Sequence, residues 1–155
     1  MTRLNLTIES DIGNVPLLAV AVNRISTHLG FDEIQASEIE LCIVEAVTNA
    51  IQHAYQGRHS HVVTVDIEAS TDHLCLSVCD TGTSMSAEQV CRLIGEEASP
   101  ELDLDNKASL PESGRGLRII HDLMDDISYT RQGEQNCLLL VKYFAPRQSQ
   151  LSDDE

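Results

Sequence analysis

The sequence predicts an α+β domain, a two-layer sandwich in which one mixed, mostly antiparallel sheet has helices on one face. Segments with alternating apolar side chains, typical of strands, flank segments whose apolar residues recur every three or four positions, as in amphipathic helices. Short turns join strands that are neighbours in the sequence, which indicates antiparallel hairpins. The chain has 155 residues and 42% hydrophobic residues, so we expect one domain with a substantial core.

The first half of the chain contains one strand and two helices. A strand at residues 4–8 precedes a helix that begins after Asn14, a residue type that favours helix starts. Asp32 and Gln35 have the spacing of a capping box, which predicts a second, long helix reaching about residue 56. The apolar stripe of this second helix consists of Ile39, Ile43, Ala46, Val47, Ala50 and Ala54.

The second half contains the remaining strands. Residues 62–68 and 74–80 alternate apolar and polar side chains on either side of a short turn, which predicts a hairpin. A helix over residues 115–125 and two further strands, 127–131 and 136–144, complete the sheet. These elements follow one another as β-α-α-β-β, a long polar segment, then α-β-β.

The long polar segment at residues 83–113 is acidic and is interrupted by Gly95, Pro100 and Pro111. Only one short helix, at residues 86–95, is predicted within it. A segment of this length in a compact domain is typical of a functional lid. We assign residues 1–144 to the single domain. The remaining residues, 145–155, have no apolar pattern and are expected to be a disordered acidic tail.

The charge of the chain restricts its partners. With 25 acidic and 10 basic side chains, the formal net charge is -15, which would repel nucleic acid and anionic membranes and favour a basic or cation-assisted partner. The first residues have no signal-peptide apolar region, and the longest apolar run, residues 15–22, is shorter than a membrane span. We therefore expect no direct contact with nucleic acid or membrane, and a cytoplasmic location.

The five cysteines form an odd set without CxxC spacing. We expect them to be reduced and to act as small hydrophobic side chains. His59 and His61 fall in a predicted turn, where we expect no metal ligand.

Polar residues recur along one edge of the second helix. Glu45, Asn49 and His53 are four residues apart, so they drift by about 40° per step and form a band beside the apolar stripe. Such a band can be held rigidly by the core and still be reached by a ligand. Taken alone, the band is more typical of a solvated polar face.

Two glycine-containing segments are further candidates. Asp80 ends an apolar strand, where its carboxylate could accept a hydrogen bond from a ligand amine while Gly82 lets the ligand approach the backbone. The segment Ser113–Leu117, with Gly114 and Gly116, directly precedes a predicted helix and could present N–H groups to an anion. An ordinary strand-ending turn and a flexible loop end are the alternatives.

The order and spacing of these segments resemble a known superfamily. The pattern E-x-x-x-N-A-x-x-H-A-Y on a helix, D-x-G after a hairpin strand, a lid and "LPESGRGLRIIHDLMDDI" resemble the GHKL ATPases, whose domain has the Bergerat fold with an ATP lid. The short chain and "EAVTNAIQHAY" look like the anti-sigma-factor serine kinase branch of that superfamily. The resemblance covers roughly residues 5–144.

The resemblance implies an ATP site with Mg²⁺. In it, Asn49 would coordinate Mg²⁺ and Glu45 would be the general base for an incoming serine hydroxyl. Asp80 would accept a hydrogen bond from the adenine amino group, with Gly82 closing under the ring. His53 would supply supporting hydrogen bonds.

The glycine segment would close the other end of this site. Gly114 and Gly116 would let the lid wrap the phosphates, with Arg115 between them as a catalytic cation and Leu117 following. The resemblance further implies phosphorylation of a serine on a small anti-sigma-factor antagonist protein, sequestration of a sigma factor or another regulatory target, and a homodimer.

One departure from the branch leaves an alternative open. An arginine often stands just before the lid glycines, where this chain has Pro111, Glu112 and Ser113. The rival interpretation is therefore a nucleotide-dependent binding module that sequesters a partner without phosphotransfer. A histidine kinase catalytic fragment is a third interpretation, disfavoured because no phospho-accepting helical hairpin precedes the site, and a metabolic ATP-using enzyme is a fourth.

Overall fold

A computed structural model describes residues 1–95 and 112–145 and contains one five-stranded sheet, in agreement with the predicted α+β fold. The strand order is β1-β2-β3-β5-β4. All four pairings are antiparallel, whereas the sequence predicted a mixed sheet with mostly antiparallel pairs. The strands are β1 (Thr2–Glu9), β2 (Val62–Ala69), β3 (His73–Asp80), β4 (Asp126–Gln132) and β5 (Gln135–Tyr143). The predicted tail beyond residue 145 lies outside the described residues.

The helices pack against one face of the sheet. They are α1 (Val15–Leu29), α2 (Glu33–Asn49), α3 (Ala87–Ile94) and α4 (Glu112–Leu123). The predicted capping box is present, since the Asp32 carboxylate accepts a hydrogen bond from the backbone N–H of Gln35 at 2.8 Å. The short helix predicted inside the polar segment corresponds to α3, and most of that segment, residues 96–111, lies outside the described residues.

Alternating side chains of the three central strands form the core with the apolar stripes of the helices. The predicted stripe of the second helix is buried from Ile39 to Ala50, and its last residue, Ala54, is half-buried. Burial of a large aliphatic side chain contributes roughly 1.5–3 kcal/mol, so this layer dominates the stability of the fold. The other principal core residues are Leu18, Val22, Val63, Val65, Ile67, Leu74, Leu76, Val78, Leu117, Ile120, Leu138 and Leu140.

The long second helix changes its geometry before it ends. Prediction placed one regular helix up to about residue 56, but α2 stops at Asn49 and a π-helical segment, Ala50–Ala54, follows. The backbone N–H of Tyr55 donates to the carbonyl of Ala50, five residues earlier, at 3.0 Å. The Ala54 carbonyl in turn accepts a hydrogen bond from Thr83 N–H at 2.9 Å, a tertiary contact that no helical periodicity encodes.

Gly82 packs directly against the end of this π-helical segment. A Cβ atom on residue 82 would lie 2.9 Å from Ala54 Cβ and closer still to the Ala54 carbonyl. The glycine was expected to give a ligand access to the backbone. In the structure the neighbour that excludes a side chain is the Ala54 backbone.

Helix α4 begins earlier than predicted. Its first residue is Glu112, whereas the pattern indicated a start near residue 115, so Gly114 and Gly116 lie inside the helix. A glycine in a helix interior costs about 0.8–1.0 kcal/mol relative to alanine. Packing of α4 against α2 and α3 overrides this local preference.

Two of the cysteines form a disulfide, so the expectation of five reduced thiols is wrong for these two. Cys79 on β3 and Cys137 on β5 are direct partners in the sheet register, with Cα atoms 4.2 Å apart. Cys42, Cys75 and Cys91 are free thiols. The pair escaped prediction because the two residues are 58 positions apart in sequence and become neighbours only through the strand order.

Within residues 1–95 and 112–145, no helix has the length and apolar character required to cross a lipid bilayer.

We expect thiol counting on protein purified without reductant to find three thiols after unfolding and five after unfolding with reductant. In the folded protein Cys42 should not react, because burial raises the pKa of its thiol to about 12. A variant with both Cys79→Ala and Cys137→Ala should give three thiols under either condition. Five thiols in the unreduced wild type would contradict the disulfide.

Replacement of Gly82 by alanine should destabilise the fold, because the new Cβ atom overlaps the Ala54 backbone and forces it to move. We expect a loss of about 1–3 kcal/mol in the free energy of unfolding, measured by urea denaturation. Gly13→Ala is the matched control, since its Cβ atom would meet only the exposed Asp11 side chain, at 3.3 Å. Equal stabilities of the two variants would show that the Ala54 contact is not a constraint.

Candidate functional site

A cavity of about 220 Å³ lies between the C-terminal half of α2, the π-helical segment and the ends of β3 and β5. Four predicted site residues line it: Asn49, His53, Asp80 and Leu117. Its apolar walls include Val78, Met85 and Leu138. The band of polar residues predicted on the second helix therefore faces a cavity at its Asn49 and His53 positions.

Asp80 lies at the end of β3 with its carboxylate half-buried in this cavity. Its Oδ1 atom accepts two hydrogen bonds, from Gly82 N–H at 2.9 Å and from Asn136 Nδ2 at 2.9 Å. Burial raises the pKa of this carboxyl above its usual value, although both hydrogen bonds act in the opposite direction. Both bonds go to Oδ1, and no described residue donates to the second oxygen, which can therefore accept from a donor on a ligand.

Asn136 positions this carboxylate and was missed in the sequence. It is fully buried on β5, and its Nδ2 atom donates both to Asp80 and, at 3.0 Å, to the Gly82 carbonyl. Its Oδ1 atom accepts from Ser84 Oγ at 3.0 Å. A signal was present, since Asn136 occupies the same inward face of its strand as Leu138 and Leu140, where a polar residue needs a partner.

The loop after Asp80 is fixed by bonds from three different elements. Thr83 N–H donates to the π-helical segment, Ser84 Oγ donates to β5, and the Met85 N–H donates to the Tyr129 hydroxyl of β4 at 2.9 Å. Burial raises the pKa of Tyr129 further above neutral pH, where a tyrosine hydroxyl is already protonated. This edge of the cavity is therefore built before any ligand binds.

Asn49 has an unsatisfied amide. Its side chain is 9% exposed, and among the described residues its Nδ2 atom has no hydrogen-bond partner. A buried donor without a partner costs about 1–3 kcal/mol, so its presence calls for an explanation. A polar ligand in the cavity would satisfy the amide, and an amide oxygen is a ligand type that Mg²⁺ accepts. The residue thus fits the predicted metal and phosphate end of the site.

Glu45 lies one helical turn before Asn49 and contacts helix α4. A Cβ atom on Gly116 would lie 3.3 Å from the Glu45 Cδ atom and closer to its Oε2 atom, so only glycine leaves room for this carboxylate. Gly116 directly precedes Leu117, which lines the cavity. The structure thereby brings the predicted base and the second glycine of the motif together beside the cavity.

Three other predicted site residues do not line the cavity. Arg115 is exposed on α4, in contrast to its buried neighbours Gly116 and Leu117. Gly114 is half-buried and lies next to Arg92 of α3. Gly82 packs against Ala54 and is not part of the cavity wall. The roles predicted for these residues therefore remain predictions.

Comparison with known proteins identifies the family of this domain. Residues 8–142 match the family described as the histidine kinase-like ATPase domain. Three similar proteins are all named serine-protein kinase RsbW. The protein of Oceanobacillus iheyensis is 26% identical over 91% of this chain and 86% of its own length. The protein of Bacillus cereus is 27% identical over 94% and 88%, and that of Listeria innocua is 26% identical over 94% and 90%.

These matches cover the same part of the chain as the motifs described above. They confirm the predicted resemblance to the GHKL superfamily and its serine kinase branch. The chain therefore belongs to the family of histidine kinase-like ATPase domains.

Proposed function

We propose that this protein is an ATP-dependent serine-protein kinase that acts as an anti-sigma, partner-switching regulator. It phosphorylates a serine on a small antagonist protein and sequesters a sigma factor or an analogous target. The observation that carries the proposal is the position of three polar residues. Asp80 and Asn49 line the cavity, and Glu45 lies beside it against Gly116. The serine kinase names of the relatives support it.

Asp80 recognises adenine in this proposal. Its second carboxylate oxygen accepts a hydrogen bond from the exocyclic amine, while Asn136 and Gly82 N–H hold the first oxygen. The faces of the ring pack on apolar walls that include Val78 and Leu138. A hydrogen bond to a charged group contributes about 1.5–3 kcal/mol, which is sufficient to select adenine over a base without that donor.

Asn49 holds the metal end. Its amide oxygen would hold Mg²⁺, and the metal would supply positive charge to neutralise the phosphates. Its Nδ2 atom has no partner among the described residues. With ATP bound, this atom would donate a hydrogen bond to a phosphate oxygen.

Glu45 removes the proton of the substrate serine. The serine oxygen bonds to the terminal phosphorus of ATP, the bond from that phosphorus to the bridging oxygen breaks, and ADP leaves. A rigidly placed base contributes typically 10²–10⁴ in rate. The Glu45 carboxylate lies against Gly116 of α4, which limits the positions that it can take.

The partners follow from charge and family. A net charge of -15 favours a basic binding surface on the sequestered target and speeds the encounter with it. We propose that the protein works in the cytoplasm as a homodimer, as the resemblance implies.

A nucleotide-dependent binding module without phosphotransfer is the second candidate. It is favoured by the exposure of Arg115, which places the only cation of the glycine motif away from the cavity wall. In that case ATP binding would control sequestration, and no phosphoserine would form.

Calorimetry with Mg²⁺ and ATP tests the site. Asp80→Asn should weaken ATP binding by about 10- to 100-fold, because the acceptor for the adenine amine loses its charge. Asn49→Ala should abolish the dependence of the affinity on Mg²⁺. Asp66→Asn is the matched control, since this carboxylate lies on the opposite face of the sheet and accepts a hydrogen bond from Asn5 Nδ2 at 2.6 Å. Failure of the wild type to bind ATP would refute the proposed function.

Transfer of labelled phosphate to a co-purified antagonist protein separates the two candidates. Glu45→Gln should lower the rate of phosphoserine formation by about 10²–10⁴ while ATP affinity stays within about threefold. Glu33→Gln, an exposed residue in the first turn of the same helix, should leave both unchanged. If the wild type binds ATP and the antagonist yet forms no phosphoserine, the binding module is the correct interpretation.

A further inference from the structure

Helix α3 places a cation beside the glycine motif, next to the cavity. Gln89 of α3 lines the cavity. Arg92 lies three residues later and therefore on the same side of the helix. Its Nη1 atom is 3.5 Å from the position that a Cβ atom on Gly114 would occupy. The guanidinium thus lies against the backbone of the glycine motif.

The Arg92 guanidinium is held in this place by its own helix. Its Nη2 atom forms an ion pair with Glu88 Oε1 at 2.7 Å, one turn earlier on α3. The arginine side chain is 38% exposed, so it is partly shielded by its surroundings and still accessible. A guanidinium has five N–H donors and stays charged, so the pair with Glu88 leaves donors for a second anion.

The two glycines therefore lie between opposite charges. Gly114 is next to the Arg92 cation, and Gly116 is next to the Glu45 carboxylate. The other two arginines of α3 and α4, Arg115 and Arg118, are also exposed. Arg115 points to solvent, and the Arg118 side chain is 81% exposed and pairs with Asp122 on its own helix at 3.7 Å. In a chain with a net charge of -15, a polyphosphate needs a local cation, and Arg92 is the best placed among the described arginines of α3 and α4.

We propose that Arg92 binds the terminal phosphate of ATP from α3, across the glycine motif, in the role that the sequence had suggested for Arg115. The inference rests on the proposed ATP site and holds whether or not phosphate is transferred. A guanidinium on the terminal phosphate makes charge-assisted hydrogen bonds that ADP cannot make in the same place. Arg92 therefore discriminates between the two nucleotides.

The test is a pair of affinities, measured by calorimetry with Mg²⁺, for ATP and for ADP. Arg92→Gln should weaken ATP binding by about 10-fold or more and ADP binding by less than about threefold. Arg92→Lys should restore part of the ATP affinity, because it keeps the charge and loses the planar fork. Arg118→Gln is the matched control with the same change of charge, and it should alter neither affinity.

Each other outcome has one meaning. A wild type that binds neither nucleotide refutes the proposed function itself. Equal losses of ATP and ADP affinity in Arg92→Gln, or no loss, refute the inference about Arg92 and leave the ATP site intact. A selective loss of ATP affinity in Arg115→Gln, with none in Arg92→Gln, assigns the terminal phosphate to Arg115.

A second variant keeps the test decisive if Arg92→Gln does not fold. Glu88→Gln releases the guanidinium from its ion pair and removes a negative charge close to it. ATP affinity should then rise relative to ADP affinity, and the ³¹P resonance of the bound terminal phosphate should shift. An unchanged ratio of affinities together with an unchanged resonance would overturn the inference.

Discussion

The contact between the end of the long second helix and the loop after β3 determines the geometry of the whole site. Ala54 accepts a hydrogen bond from Thr83 N–H, and Gly82 packs on the same peptide. The Tyr55 hydroxyl accepts from Thr81 N–H at 2.8 Å and donates to the Val62 carbonyl at 2.6 Å. Because the site residues come from both elements, this joint fixes the distance between the Asp80 carboxylate and the amide of Asn49.

The features that the sequence predicted are those with local causes. The capping box at Asp32, the apolar stripe of α2 and the alternation of the strands depend on neighbours a few residues away, and all are present. The π-helical segment, the start of α4 and the Cys79–Cys137 disulfide depend on contacts between distant segments. Periodicity carries no information about such contacts, and these were the features that differed.

The same distinction applies to the site. Asn49 and Asp80 stood out because a polar side chain interrupts a local pattern beside the core, and both line the cavity. Asn136 has the same character, but its meaning depends on β5 lying beside β3, which the sequence does not state. Arg92 belongs to a helix within a polar segment, where a single arginine is not distinctive until Gly114 is found next to it.

The site lowers the stability of the protein that contains it. Burial raises the pKa of Asp80, so ionisation of this carboxyl is less favourable in the folded than in the unfolded chain. The resulting destabilisation is present at neutral pH and disappears as the pH falls below the unfolded pKa. Asn49 adds a buried amide nitrogen that lacks a partner among the described residues.

The buried polar groups of the site are of two kinds: those with hydrogen-bond partners inside the protein and those without. Asn136 is fully satisfied by Asp80, Gly82 and Ser84, and it stiffens the Asp80 end of the cavity. Within residues 1–95 and 112–145, the Asn49 Nδ2 atom and the second oxygen of Asp80 have no hydrogen-bond partner and can bind a ligand. A ligand that bonds to both groups binds only the folded state. By mass action, such a ligand raises the free energy of unfolding. An apolar replacement of Asn49 would remove a buried donor that lacks a partner among the described residues, and with it a group that can bind the ligand.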